Sequence, residues 1–153
     1  MVITRIETSE DLEGAFAVRK AVFVDEQHVP VEEELDDLDH AATTVHVLAK
    51  DDEGPCATGR ILLDGPGQVH LGRICILPRV RGTGLGRKLM AELESIAYAE
   101  YCSDGRLVIA LSAQDQAQGF YSALGYDYVD DREYLDAEIW HRDMSKTVTG
   151  VSD

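Results

Sequence analysis

The segment Pro78-Arg-Val-Arg-Gly-Thr-Gly-Leu-Gly-Arg-Lys88 carries four basic residues and no acidic one, in a chain whose net charge is −15. Such a local reversal of sign needs a chemical reason. Glycines at 82, 84 and 86 free the backbone to curl with no Cβ in the way, so successive N–H groups can converge on one concavity at the positive end of a following helix. The chemistry this points to is anion binding, most naturally of a phosphate or pyrophosphate. A P-loop would need glycine at position 87 and a hydroxyl after Lys88, where the chain has Arg87 and Leu89, so no nucleoside triphosphate site is supported. A dinucleotide fingerprint starting at Gly82 would put Arg87 where its last glycine belongs, and the strands before it read as antiparallel rather than βαβ. The remaining alternative, a glycine-rich turn without a ligand, leaves the clustered positive charge unexplained.

A second concentration of charge lies at residues 25–39, DEQHVPVEEELDDLD, with eight carboxylates, no lysine or arginine, and a proline at position 30. It reads as a long, irregular loop, either lining a site that attracts cations or forming a solvated surface. Arg73 either binds an acidic group of a ligand or pairs with one of the many neighbouring carboxylates, and the pairing is the stronger reading. Cys56, Cys75 and Cys102 form an odd set without C-x-x-C spacing, which signals neither a disulfide framework nor a zinc site. No H-x-x-x-H spacing supports a histidine metal site either.

These residues must be positioned by a chain of 153 residues, enough for one domain with a substantial core. The domain is expected over residues 1–146, with the polar stretch 147–153 as a frayed tail. At 44% hydrophobic and 28% charged the composition is that of a globular protein. Neither a signal peptide nor an apolar run of membrane-spanning length is visible, so a cytoplasmic location is expected. The negative charge argues against nucleic acid and anionic membranes as partners. Only 4 of the 14 basic residues are lysine, a composition that resembles proteins of salt-loving microbes.

Residues 2–7 read as a strand, followed by a helix with Ser9 as its N-cap and with Leu12, Ala15, Phe16, Val22 and Phe23 recurring on one face. Strands are expected at 45–49, 56–63 and 69–77, an antiparallel meander punctuated by KDDEGP and DGPG. Leu85, Leu89, Leu93, Ile96 and Ala97 mark an amphipathic helix over about 84–101. The run Leu107–Leu111 suits a buried central strand. A short helix from Asp115 to Leu124 closes at Gly125, and two last strands fit near 126–130 and 137–144.

Arg81-Gly-Thr-Gly-Leu-Gly86, preceded by Ile74-Cys-Ile-Leu-Pro78, resembles the R/Q-x-x-G-x-G/A acetyl-CoA motif of GNAT-type N-acetyltransferases. Ala117-Gln-Gly-Phe-Tyr-Ser-Ala-Leu-Gly-Tyr126 is similar to that family's A-x-x-F-Y-x-x-L-G-F/Y segment, and Gln114 stands where the family often has Asn. Val22-Phe-Val-Asp-Glu-Gln27, the later Asp36 and Asp39, and His46 look like its ElaA-type branch.

The resemblance implies an α/β fold with a central, mixed and largely antiparallel sheet flanked by helices on both faces. Its central parallel strands, at 69–77 and 107–112, would splay apart around the thioester. It implies acetyl-CoA as donor, an amine acceptor attacking directly in a ternary complex, no metal, and it admits a homodimer. The donor would contact Ile74, Cys75 and Ile76 along the strand, the backbone of Arg81, Gly82, Thr83, Gly84, Leu85, Gly86 and Arg87 at its pyrophosphate, and Gln114, Ala117 and Tyr121 beyond. Tyr121 matches the family tyrosine held near the sulfur and would serve as the acid. A primary amine arrives mostly protonated at neutral pH, so a base is also needed. Glu26, Asp36, Asp39, His46 and His70 are the candidates, with Glu26 preferred because it follows the apolar helix end Val22–Val24. Glu26, Asp36, Asp39, His46 and Arg73 would then form the acceptor side. Cys75 is read as packing, because the family transfers directly without an acyl-enzyme. The competing reading is a CoA-binding sensor or interaction module that kept the cleft and lost catalysis.

Overall fold

Alternating apolar residues in the first half of the chain build the expected meander in the computed structural model, which describes residues 1–150. Strands β1 (Val2–Arg5), β2 (Val45–Asp51), β3 (Gly54–Gly65) and β4 (Gln68–Ile76) pair in chain order, each antiparallel to the one before. β5 (Arg106–Gln114) adds parallel to β4, and β7 (Ile139–Thr149) lies between β5 and the edge strand β6 (Asp127–Asp136). The result is a mixed seven-stranded sheet in the order β1-β2-β3-β4-β5-β7-β6.

Period-two alternation sends β2 side chains to opposite faces. His46 meets Phe16 of helix α1 (Ser9–Arg19) edge-on, while Val45, Val47 and Ala49 join the core beneath helix α3 (Leu85–Tyr101). Helix α3 buries Leu85, Leu89, Leu93 and Ala97 of the stripe its sequence predicts, with Met90 buried in addition and Ile96 only half-buried. Gly59 makes its close approach possible, because a Cβ there would stand 2.8 Å from Leu93 Cδ1.

Several local expectations change. The N-cap of α1 is Thr8 rather than Ser9: Thr8 is extended and its hydroxyl accepts from the Asp11 N–H at 3.1 Å. The helix then widens into a π-helical stretch, Lys20–Glu26. Residues 25–39 are not irregular throughout, since they contain one α turn, α2 (Val31–Glu34), and a 3₁₀ turn, Asp37–His40. Residues 147–149, read as frayed tail, belong to β7, because β5 offers ladder partners as far as Arg106 opposite Thr149. Gly150 also donates its N–H to the Gly105 carbonyl at 2.8 Å. Residues 151–153 of that expected tail lie outside the described residues.

The feature that opens a site is in β4. Its parallel pairing with β5 covers Gln68–Leu71 against Val108–Leu111 and stops there. Arg73 has φ of 51°, and the ladder to β3 slips between Thr58 and Arg60, so that Arg73 and Ile74 together oppose Gly59. Val69 and Leu71 face the α3 core; without the bulge Arg73 would follow them into it. With the bulge, Arg73 and Cys75 turn to the α1 face, Ile74 and Ile76 pack against the α3 core, and the ends of β4 and β5 separate.

Candidate active site

Two adjoining cavities occupy the gap between the ends of β4 and β5, and they share Phe23, Ile74, Gln114 and Tyr121 as walls. The first runs from that junction along Ile74, Cys75 and Ile76 to the glycine loop, lined by Arg81, Gly82, Gly84, Gly86 and Arg87. Gly82 and Gly84 have φ of 76° and 84°, and a Cβ on either would meet nothing within 4 Å. The left-handed backbone is what demands glycine, and the space beside it is open. Gly84 is the N-cap of α3 and no side chain caps the helix, so its first N–H groups face the cavity with no intrahelical partner. Thr83 turns its hydroxyl back to the Val80 carbonyl at 2.6 Å and Leu85 is buried in the core, so these two expected contacts reduce to backbone N–H groups. Ala117 lines the second cavity rather than the first.

Tyr121, on α4 (Gln118–Ala123), stands at the junction, 8% exposed. Its ring is held edge-on between Phe120 and Tyr126 at centroid distances of 5.2 and 6.0 Å. Burial pushes its phenol up to about 12, so it is neutral at physiological pH. Burial likewise pushes the Cys75 thiol up, and Cys75 packs with Val18 and Val22, as a structural thiol should.

Glu26, the preferred base, is paired in the structure. Its carboxylate accepts two hydrogen bonds from Arg81, at 2.6 and 2.8 Å, and that pairing holds it below the usual carboxylate range. It borders the glycine-loop cavity, not the second one, and a carboxylate stabilised in its ionised form is a weaker proton acceptor. The next residue, Gln27, exchanges amide hydrogen bonds with Gln114 at 2.9 and 3.3 Å. The π-helical stretch is thus tied to both ends of the gap, a connection that nothing in the residue order around Gln27 announces.

Asp36, Asp39 and His46 also leave the expected acceptor side. Arg19 lies on the apolar face of α1, 1% exposed, and donates to Glu34 Oε1 at 2.7 Å and to Asp39 Oδ1 at 2.6 Å. Arg60 of β3 donates to Asp36 at 2.7 and 3.0 Å and to Asp39 at 2.8 Å. Arg73 donates to the Glu34 carbonyl at 3.0 Å and approaches Asp36 at 3.4 Å. Three arginines from three elements neutralise three carboxylates, so the acidic segment is not uncompensated. Burial alone would raise the Asp39 carboxyl, but hydrogen bonds and charge from Arg19, with help from Arg60, bring it down to about 2. Arg60 holds Asp36 low as well. His46, 8% exposed, contacts the Asp39 carbonyl at 3.0 Å, and burial lowers its affinity for a proton. His70 is an exposed residue of β4 beside Asp64. Of the residues expected on the acceptor side only Arg73 lines the second cavity, paired there with Glu34 and Asp36.

That second cavity is bounded by Glu33 and Glu34 on one side, by Leu71 to Ile74 at the bulge, and by Ser112, Asp136 and His141 from β5, β6 and β7. His141, absent from the sequence-level candidates, sits opposite Gln114 in the β5–β7 ladder and opposite Tyr134 in the β6–β7 ladder. The signal available was weak: one histidine in a strand, three residues before the core residue Met144.

The chain matches the family model described as "Acetyltransferase (GNAT) domain" over residues 7–148. It is 40% identical over 141 residues to YjcF of Bacillus subtilis, called an uncharacterized N-acetyltransferase, covering 92% of this chain and 95% of that protein. Among solved structures, an acyl-CoA N-acyltransferase from Pseudomonas aeruginosa superposes with TM-score 0.82 at 30% identity, covering 95% of this chain and 99% of the other. Escherichia coli ElaA superposes with TM-score 0.84 at 25% identity, with the same coverage of 95% and 99%. A glycine cradle at an uncapped helix end, two strands parted by a bulge, a buried neutral tyrosine at the parting and a family match spanning nearly the whole chain lead to one assignment: the protein belongs to the GNAT acetyltransferase family.

Proposed function

We propose that the protein transfers the acetyl group of acetyl-CoA to a primary amine of a small, cationic acceptor, by direct attack in a ternary complex. The observation that carries this reading is the meeting of two cavities at Tyr121, one ending in an anion cradle and the other walled by carboxylates. The cradle fits the donor: open space beside Gly82 and Gly84, unpartnered N–H groups at the start of α3, and Arg81 and Arg87 at the rim suit a pyrophosphate. Ile74 and Ile76, on a strand segment freed from β5, present backbone groups to the pantetheine arm and a donor N–H to the thioester carbonyl.

Tyr121 acts on the sulfur. A phenol near 12 does not give its proton outright to a thiolate whose ordinary value is about 8.5. It hydrogen-bonds the charge developing on sulfur and passes its own proton across as it takes one from the acylated nitrogen, so no phenolate accumulates.

Acceptor preference follows from charge. Glu33 and Asp136 line the second cavity and have no ion-pair partner among the described residues, whereas the one cation there, Arg73, is neutralised by Glu34 and Asp36. The uncompensated field is negative and favours a cationic acceptor over one bearing a carboxylate. The test is release of free thiol from acetyl-CoA in the presence of diamines, neutral monoamines and amino acids. Diamines are expected to turn over with the highest kcat/KM, and an advantage that disappears in Glu33→Gln with Asp136→Asn. Binding of CoA with no amine-dependent release would leave a CoA-binding module instead.

A further inference from the structure

The acceptor amine must lose a proton before it can attack, and the carboxylate expected to take it, Glu26, is held by Arg81 on the donor side. We infer that His141 is the proton acceptor of the transfer reaction, a role that rests on the acetyltransferase reading above. Its Nδ1 lies 2.7 Å from the Ile139 carbonyl. A carbonyl can only accept, so Nδ1 carries the hydrogen and Nε2 is left with the lone pair. Nε2 has no hydrogen-bond partner among the described residues, and His141, 8% exposed, lines the acceptor cavity together with Tyr121.

The ring is fixed in place. It stacks on Tyr134 at 5.8 Å between centroids and 16° between planes, and the Tyr134 hydroxyl donates to Asp143 at 2.6 Å and contacts the Ser112 hydroxyl. Pairing with β5 places His141 beside Gln114, which is itself a wall of the junction between the cavities. Facing it are Ser112 and Gln114 from β5, Tyr134 and Asp136 from β6, Asp143 from its own strand and Tyr121 from α4. Across the cavity stand Glu33, Glu34 and Arg73. Glu33, Glu34, Asp136 and Asp143 are the carboxylates of this surround, and its cation, Arg73, is already paired with Glu34 and Asp36.

The step balances as follows. The acceptor ammonium gives one proton to His141 Nε2, and the freed lone pair forms the C–N bond to the thioester carbon. The C–S bond breaks as the remaining surplus proton on nitrogen passes through the Tyr121 hydroxyl to sulfur. The products are the amide and free CoA thiol, and His141 returns its proton to water.

The experiment compares wild type, His141→Gln and His141→Ala in amine-dependent thiol release from acetyl-CoA across pH 5.5–9, with CoA affinity measured calorimetrically for each. A general base contributes about 10²-fold or more, so kcat/KM is expected to fall by about 10²-fold in both variants. CoA affinity should stay within about threefold, the acidic limb of the kcat/KM profile should vanish, and added imidazole should restore part of the rate to His141→Ala. A purely structural role would move neither the pH profile nor the imidazole response. If the variants keep wild-type kcat/KM, or lose it with the acidic limb intact and no rescue, His141 is not the acceptor while the acetyltransferase reading stands. If wild type itself releases no thiol with any amine, that reading fails and this inference falls with it.

Discussion

Replacing Asp39 by Asn removes one charge from a cluster of three arginines and three carboxylates while nearly preserving its shape. The Asp39 side chain is 1% exposed and accepts from Arg19 at 2.6 and 3.1 Å and from Arg60 at 2.8 Å. Two routes bound the cost. A carboxyl that titrates at 3.8 in the open chain and at about 2 in the fold contributes about 2 kcal/mol at neutral pH. Breaking a buried ion pair by removing one partner costs about 3–5 kcal/mol, because the other charge stays buried and uncompensated. A loss of about 2–4 kcal/mol is expected, which at roughly 2–4 °C per kcal/mol for a domain of this size lowers Tm by roughly 5–15 °C. The pH dependence is specific. Because the folded value lies below the unfolded one, the contribution is complete above the unfolded value and is lost as pH falls towards about 2. Urea unfolding of both proteins between pH 7 and pH 2.5, at constant ionic strength, should show a gap that is widest at pH 7 and closes with acid. A gap under about 0.5 kcal/mol at pH 7, or one independent of pH, would refute the claim that this cluster fastens residues 34–39 to the sheet.

Tyr121→Phe should lower kcat by about 10²-fold while leaving CoA affinity within about threefold, since the hydroxyl has no hydrogen-bond partner to lose among the described residues; unchanged kcat under chemistry-limited conditions returns Tyr121 to packing. Gly84→Val should fold, because its Cβ enters open space, at a cost of roughly 1–2 kcal/mol for the left-handed backbone, yet lose CoA binding in calorimetry. Equal affinity would move the pyrophosphate elsewhere. Glu26→Gln releases Arg81 and should tighten CoA binding several-fold with kcat nearly unchanged, whereas a fall in kcat of about 10²-fold would restore Glu26 as the base.

What the sequence determined by itself is what depends on neighbours in the chain. Positive φ at Gly82 and Gly84, the apolar stripe of α3 and the meander of β1–β4 follow from backbone sterics and periodicity, which are local. The open, left-handed glycine loop was legible for that reason, and the motif around Tyr121 for the same one. Tertiary structure decided which charges meet. Residues 25–39 contain no cation, so their compensation by Arg19 and Arg60 was invisible, and only the pairing of Arg73 was foreseen; Arg19 sits at a helical position continuous with Ala15 and Phe16, where a cation is stable only with buried partners brought from elsewhere. The same holds for the site. Glu26 looked poised until the fold set Arg81 against it, and His141 had no apparent purpose until β5 and β7 paired it with Gln114. The β4 bulge that turns Arg73 out of the α3 core is likewise a matter of register between strands, and register is fixed by long-range packing rather than by any residue's own preference.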